Sequence, residues 1–460
     1  MRYVSTRGAA PVLGFSDVVL AGLANDGGLY VPETWPALPS NLGSTYPELA
    51  AGVFAPYVGD DISADIMLRL CREAYATFRH PDVVPIVDLE PGHHLMELFH
   101  GPTLAFKDVA LQLLGRLFDH ILTERQQKVT IVGATSGDTG SAAIDGVKDC
   151  ANINIVILYP EGRVSEVQRR QMTTVNSPNV RTVAIDGTFD DCQDLVKAMF
   201  NHAEFREAQN LSAVNSINWA RVMAQVVYYV EATRRLGGPI DVTVPTGNFG
   251  NVLSGWIAKQ MGAPLRRLIV ASNDNDILTR FFNSHTMDVT GVHPTLSPSM
   301  DIQVSSNFER LLFEMNDRDG AVTAHQLSTF RSTGQMAVES DQFATWAAPV
   351  FKAARCNDDL TLSTMADVYR ESGMLLDPHT AVGVSAARQI RVRQEDQSGV
   401  PVVTLATAHP AKFPDAVIKA TGVHPHLPEH LADLLERPER TNNLPNDLAA
   451  VQGFVRLVAR

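Results

Sequence analysis

Cysteine is scarce: Cys71, Cys150, Cys192 and Cys356 are the only four in 460 residues. They lie far apart and form no C-x-x-C pair, so they read as small core residues of a protein kept in a reducing, cytoplasmic compartment. A basic surface is missing too. The formal net charge is −13, which argues against a general nucleic-acid surface, although a local group of Arg and Lys can still bind a small anion. No apolar run reaches the roughly 18 residues of a membrane span. The amino terminus has no apolar h-region, and Asp17 and Asp26 weigh against a transit peptide. Internal repeats and heptads are absent, and glycine and proline are scattered, which excludes collagen-like and low-complexity chains.

What remains is ordinary globular composition, with 45% hydrophobic and 19% charged residues. The length suggests roughly three domain-sized units. Residues 1 to about 90 form a first, helix-rich unit. Ser16 or Asp17 can cap a helix carrying Val19, Leu20 and Leu23, which Asn25-Asp26-Gly27-Gly28 then stops. Pro32 to Pro39 reads as an extended connector. Beyond about residue 90, short β-rich runs alternate with amphipathic helices. The expected strands are Val129–Val132, Ile153–Leu158, Val180–Ile185, Ile240–Val244, Leu268–Ala271 and Val402–Leu405. Cys192, Leu195, Val196 and Met199 recur at helical spacing, as do Trp219, Val222, Met223, Val226 and Val230 before Gly237-Gly238. Near-continuous apolar strands between helices predict an α/β fold with parallel sheet covered on both faces. Residues 293–299 and 438–445 read as surface connections.

Five segments bear chemistry. In His100-Gly-Pro-Thr-Leu-Ala-Phe-Lys107-Asp108 a Gly-Pro turn precedes an apolar helical face, so Lys107 stands near a helix start. Desolvation there lowers an ammonium's pKa and frees the amine for Schiff-base chemistry; the competing reading is a surface lysine covering a hydrophobic edge. The strand at Val129 runs into Thr135-Ser136-Gly137-Asp138-Thr139-Gly140, whose backbone N–H groups and hydroxyls suit a carboxylate or phosphate. This loop lacks a P-loop lysine and a G-x-G-x-x-G fingerprint, and a tight turn that binds nothing is equally consistent with it. Thr246-Gly247-Asn248-Phe249-Gly250-Asn251 repeats the strand–glycine loop–helix pattern, again suited to an anion. Thr407 and Lys412 follow the Val402 strand, where open α/β sheets gather ligands, while His409 reads as a structural turn histidine. Asn215, Ser216 and Arg221 can hold a second anion by charge-assisted hydrogen bonds, or Asn218 is an N-cap and Arg221 solvated.

Taken in this order, HGPTLAFKD, GATSGDTGSAA, NSINWARV, PTGNFGN and ATAHPAKF resemble the blocks of the threonine synthase family, of its longer bacterial and fungal type. ANDGGLYVP, MDIQVSSNFER and Asp377-Pro378-His379-Thr380 extend the resemblance over nearly the whole chain. It implies the fold of the tryptophan synthase β subunit, the second pyridoxal-phosphate fold type, with parallel twisted sheets covered by helices. An amino-terminal domain would span 1–90 and a catalytic region 91–460, with a smaller α/β subdomain inserted at about 110–215. The implied cofactor is pyridoxal 5'-phosphate, carried by Lys107. Gly247, Asn248, Phe249, Gly250 and Asn251 would hold its phosphate, Thr407 would face its pyridine nitrogen and Asp138 would lie near its phenolic oxygen. Thr135, Ser136 and Thr139 would take the substrate carboxylate; Asn215, Ser216, Arg221 and Lys412 would take the substrate phosphate. Many relatives carry Asp where Asn251 stands, so a backbone role is expected there. The implied reaction turns O-phospho-L-homoserine and water into L-threonine and phosphate, by γ-elimination and β-replacement. No metal, nucleic acid or membrane is expected, and the assembly would be a monomer or homodimer. Alternatives are a serine/threonine dehydratase, a sulfhydrylase or a non-catalytic ligand-binding relative; a nicotinamide reductase lacks its glycine fingerprint.

Overall fold

The computed structural model describes residues 1–213, 215–393 and 399–459. All six expected strands form, each in one of two open sheets. The larger sheet has the order Phe351–Arg355, Leu265–Ser272, Ile240–Pro245, Val402–Ala406, His93–Glu97, Ile86–Glu90. Its first five strands run parallel, and Ile86–Glu90 closes the edge antiparallel. Ile240–Pro245 and Val402–Ala406 are buried at every residue, as sheet covered on both faces requires. The smaller sheet is wholly parallel, in the order Asn442–Pro445, Val180–Asp186, Ile153–Pro160, Val129–Ala134, Leu211–Ser212. The stretch 438–445 is therefore more than a surface connection, since Asn442–Pro445 forms an edge strand. Its mostly exposed, polar residues carry no apolar run that would announce a strand.

The first unit pairs Tyr3–Ser5 with Tyr30–Pro32, and packs helix Tyr46–Val58 against the helix Trp219–Leu236 and helix Ala64–Tyr75 against the helix Lys107–Arg125. An aromatic knot of Tyr3, Trp35, Tyr57 and Trp219 seals the junction. The first helix spans Phe15–Ala21, with Gly14 at its N-cap in place of Ser16 or Asp17. Asp61 Oδ2 accepts from Ser16 N–H instead, which fastens the helix start to a distant residue. Gly22 in the left-handed region ends the helix, leaving Leu23 outside it. Asp26 gathers N–H groups of Ala9, Ala10 and Gly28 into the turn that follows. Among the described residues no helix is long and apolar enough to cross a membrane.

Two helices reach the space between the sheets, Lys107–Arg125 and Asp138–Val147. They cross glycine on glycine. A Cβ on Gly115 would sit 1.9 Å from Gly146 O, and one on Gly146 would sit 2.4 Å from Leu111 O. Because Lys107 and Asp138 are the first residues of these helices, the crossing fixes the separation of the two side chains. Gly115→Ala should therefore lower stability by at least about 1–3 kcal/mol, the usual scale of overpacking. Urea unfolding of the two proteins measures this, and an unchanged midpoint would show that the helices can separate freely.

Candidate active site

The loops leaving strands of both sheets converge on one cleft of about 2350 Å³. Its floor comes from two segments zipped together. Phe106 N–H donates to Thr407 O at 2.8 Å and His409 N–H to Leu104 O at 3.0 Å, with Ala105 bridged to Ala408. This contact brings the start of the Lys107–Arg125 helix to the end of the Val402–Ala406 strand, as the open-sheet rule predicts.

Lys107 is buried at the cleft wall. Its Nζ lies 3.2 Å from Asp138 Oδ2 and 3.4 Å from Ser299 Oγ. Burial pushes its pKa below the usual lysine range, Asp138 pulls it back up, and the nearby Lys412 and Arg221 charges push it down again. Burial works to raise the Asp138 carboxyl, but the Lys107 and Lys412 cations outweigh it and hold the group well below the usual carboxylate range. The other carboxylate oxygen, Oδ1, takes Gln168 Nε2 at 2.7 Å and Lys412 Nζ at 2.9 Å.

On the opposite side, Phe249 adopts φ 64° and no side chain caps the helix Gly250–Gln260 that follows. The helix therefore presents orphan N–H groups to the cleft, a ready anion receptor. Gly247 must be glycine, since a Cβ there would lie 2.5 Å from Ser299 O. Asn307 Nδ2 donates to both Ser216 O and Asn248 O, which clamps the 215–218 segment beside this loop. Asn218 caps the Trp219–Leu236 helix as expected, accepting from Ala220 N–H, but Arg221 is buried where solvation was the alternative. Burial lowers the Arg221 pKa to about 10. Its Nε and Nη1, together with Gln225 Oε1 and Asn251 Nδ2, are buried polar atoms without a partner among the described residues. Such atoms cost about 1–3 kcal/mol each unless a ligand satisfies them. Asn251 Oδ1 meanwhile accepts from Tyr228 and Tyr229 hydroxyls at 2.5 and 2.9 Å, so its carbonyl end faces away from any anion.

The third wall is the loop after Val129–Ala134. Thr135 Oγ1 accepts from Gly137 and Gly140 N–H at 3.0 and 2.9 Å, which shapes the turn from within. Ser136 is exposed and Thr139 half-buried, so both hydroxyls remain open to the cleft. The helix begins at Asp138, one residue before Thr139.

The cleft thus collects Lys107, Thr135, Ser136, Asp138, Thr139, Asn215, Ser216, Arg221, Gly247, Asn248, Phe249, Gly250, Asn251 and Thr407 on its walls. Lys412 is not among the lining residues and lies wholly buried behind Asp138. Three further residues enter the site that no local pattern announced, Ser299, Gln168 and Gln225, and His379 joins them. Ser299 belongs to the stretch 293–299 read as a surface connection, which fits exposed His293, Pro294 and Pro298 but not buried Ser297. His379 Nδ1 meets Asp377 Oδ1 at 2.9 Å and its Nε2 accepts from Ser299 N–H at 3.3 Å. The Asp377-Pro378-His379-Thr380 motif was visible in the chain, but its contact with Ser299 was not.

These groups fit a phosphate-bearing aldehyde, with a desolvated amine to bond it and an uncapped helix start to take its charge, and they leave a guanidinium without a partner among the described residues for a second anion. The comparisons with known proteins agree. Residues 2–75 match the family described as threonine synthase N terminus, 93–348 that of pyridoxal-phosphate dependent enzymes, and 380–455 that of threonine synthase, C-terminal. A threonine synthase of Pseudomonas aeruginosa is 54% identical over 464 residues, covering 99% of this chain and 98% of that protein. The crystal structure of pyridoxal-phosphate-bound threonine synthase from Brucella melitensis superposes with a TM-score of 0.96 at 50% identity, covering 100% of both chains. The yeast threonine synthase structure gives 0.94 at 37% identity, covering 99% of this chain and 98% of that one. The chain therefore belongs to the threonine synthase family of pyridoxal-phosphate-dependent lyases.

Proposed function

We propose that the chain converts O-phospho-L-homoserine and water into L-threonine and phosphate by γ-elimination and β-replacement. One observation carries the reading: the same cleft holds a buried amine, Lys107, and a buried guanidinium, Arg221, with two nitrogens unpartnered among the described residues. An amine for the cofactor plus a spare cation suits a substrate that brings its own phosphate. A dehydratase or sulfhydrylase acting on an uncharged side chain needs no such cation.

Lys107 carries the cofactor in this reading. Gly247, Asn248, Phe249, Gly250 and Asn251 would offer backbone N–H groups to the cofactor phosphate, and Thr407 would hold its pyridine ring. The bound cofactor supplies an electron sink for a carbanion next to an imine. Lys107 Nζ, once free, takes the Cα proton and then a Cβ proton and later returns them. Asp138, held ionised, keeps that amine at one end of its travel. Ser136 and Thr139 hydroxyls, with the loop Thr135 shapes, receive the substrate carboxylate. Arg221, with Asn215 and Ser216, holds the substrate phosphate and stabilises its charge as it departs. Four free thiols, three of them buried, support a cytoplasmic location. The proposed assembly is a monomer or homodimer.

The direct assay is release of threonine and phosphate from O-phosphohomoserine, with and without added cofactor. Lys107→Ala should abolish turnover without unfolding the chain, and borohydride reduction of the wild type followed by peptide mapping should place the cofactor on Lys107. Label on another lysine would overturn the assignment. Arg221→Ala should raise KM and lower kcat together, with kcat/KM falling more than about tenfold, or ~1.4 kcal/mol. Cofactor content and visible spectrum should stay near wild type. If instead the bound cofactor is lost, Arg221 serves the cofactor phosphate, and if the kinetics do not change it serves neither anion.

A further inference from the structure

Lys412 has no exposed surface and does not reach the cleft, although it stands in the segment that follows a site strand. Its Nζ donates to Thr103 O at 2.7 Å and pairs with Asp138 Oδ1 at 2.9 Å. Removing an ammonium from water costs several kcal/mol, and a buried ion pair rarely recovers enough to be kept for stability alone. Here the carboxylate already has a partner, because Lys107 occupies its other oxygen. Two ammonium groups therefore face one carboxylate. Stability does not account for the second.

We propose that Lys412 is a positioning residue for Lys107, acting through Asp138, and not a ligand of the substrate phosphate; this rests on the reading of Lys107 as the lysine that carries the cofactor. Asp138 Oδ1 is held by Lys412 and Gln168 together, at 2.9 and 2.7 Å, which fixes the carboxylate's rotation. Oδ2 is thereby turned toward Lys107, with Ser299 Oγ at 3.5 Å beside it. The same ammonium ties Thr103 O, and Asp108 takes Thr103 N–H and Oγ1 at 2.8 and 2.6 Å, so the loop leading into Lys107 is pinned at the same place. Lys412 thus sets both the loop from which Lys107 extends and the carboxylate it meets.

The charge has a second consequence. The ionisable groups packed around the pair are Arg221 from the Trp219–Leu236 helix, His379 with its partner Asp377, His409, and Asp108, besides Lys107, Asp138 and Lys412 themselves. Burial lowers the Lys107 pKa most, Asp138 opposes this, and Lys412 and Arg221 reinforce it. Removing the Lys412 charge leaves the carboxylate's pull less opposed, so the Lys107 pKa rises. A freed amine can accept the substrate proton only above that pKa. The acid limb of kcat should move to higher pH.

The test compares wild-type, Lys412→Met and Lys412→Arg holoenzymes on O-phosphohomoserine across pH. K412M should keep its cofactor and its KM within about threefold, lose at least about tenfold in kcat, and shift the acid limb upward by roughly one pH unit. K412R should recover much of the kcat. The pH titration of the holoenzyme's visible band should shift in the same direction. That titration needs no substrate, so it judges Lys412 even if the chain acts on a different amino acid, a failure the wild-type assay reveals by itself. A rise in KM of about tenfold with kcat unchanged would be the mark of a lost phosphate ligand and overturns the proposal. An acid limb and a visible titration that both stay in place overturn it too. Should K412M not fold, Asp138→Asn decides: with the carboxylate gone and Lys412 retained, the acid limb moves down, and a limb that does not move sinks the idea.

Discussion

The contact of Lys107 and Lys412 with Asp138 places two ammonium groups against one carboxylate, with all three side chains buried. Charges at such separations interact several times more strongly there than in bulk solvent, so displacements of a fraction of an ångström change the balance among them. The fold answers by giving each group a separate, rigid origin. Lys107 and Asp138 open two helices locked together at Gly115 and Gly146. Lys412 sits in a short 3-10 turn, Pro410–Lys412, which His409 Nδ1 caps by accepting from Ala411 N–H. His409 is thus a turn histidine, and burial lowers its pKa to about 4, so it stays neutral and keeps accepting.

The two-sheet arrangement explains how one cleft can meet several anionic groups. Each sheet sends strand ends toward the cleft, and each strand end is followed by a helix start with spare N–H groups. The first unit, remote from the amine, takes part through the 215–218 segment. Asn218 Nδ2 donates to Val19 O at 2.8 Å, and Arg310 joins Tyr30 O to Ile217 O, at 3.0 and 2.7 Å.

How much of this could be read in the chain depended on how local the cause was. The six central strands are mostly apolar runs, and the glycine loops after them owe their shape to residues within a few positions, so both were legible. The edge strands were not. Ile86–Glu90 and Asn442–Pro445 carry carboxylates and amides, because an edge need not be apolar on both faces. Lys412 escaped for another reason: its partner Thr103 is 309 positions away, and nothing within the segment ATAHPAKF says whether its lysine turns toward the cleft or behind it. Ser299 escaped likewise, since a serine among prolines has the composition of a surface loop until Lys107 is placed beside it. The helix at Phe15 was found but its cap was misplaced, because the group that fastens its start, Asp61, lies outside the local sequence.

Two buried arginines separate structure from function within one fold. Arg310 and Arg221 are both almost wholly out of water, and burial lowers both pKa values, to about 9 and about 10. Arg310 uses Nε, Nη1 and Nη2 to grip Tyr30 O, Asn307 Oδ1 and Ile217 O, and its plane lies over the Trp219 ring. Every direction of its fork is answered by protein, so its desolvation is offset where it stands. Arg221 leaves Nε and Nη1 unanswered in the described residues while lining the cleft. A buried cation in that state is tolerated only when something outside the chain completes it. The two side chains are built on the same segment, since Arg310 holds the carbonyl of Ile217 and Arg221 begins one helical turn later. The satisfied arginine thus fixes the backbone from which the unsatisfied one reaches into the cleft, and the proposed anion site at Arg221 rests on that difference.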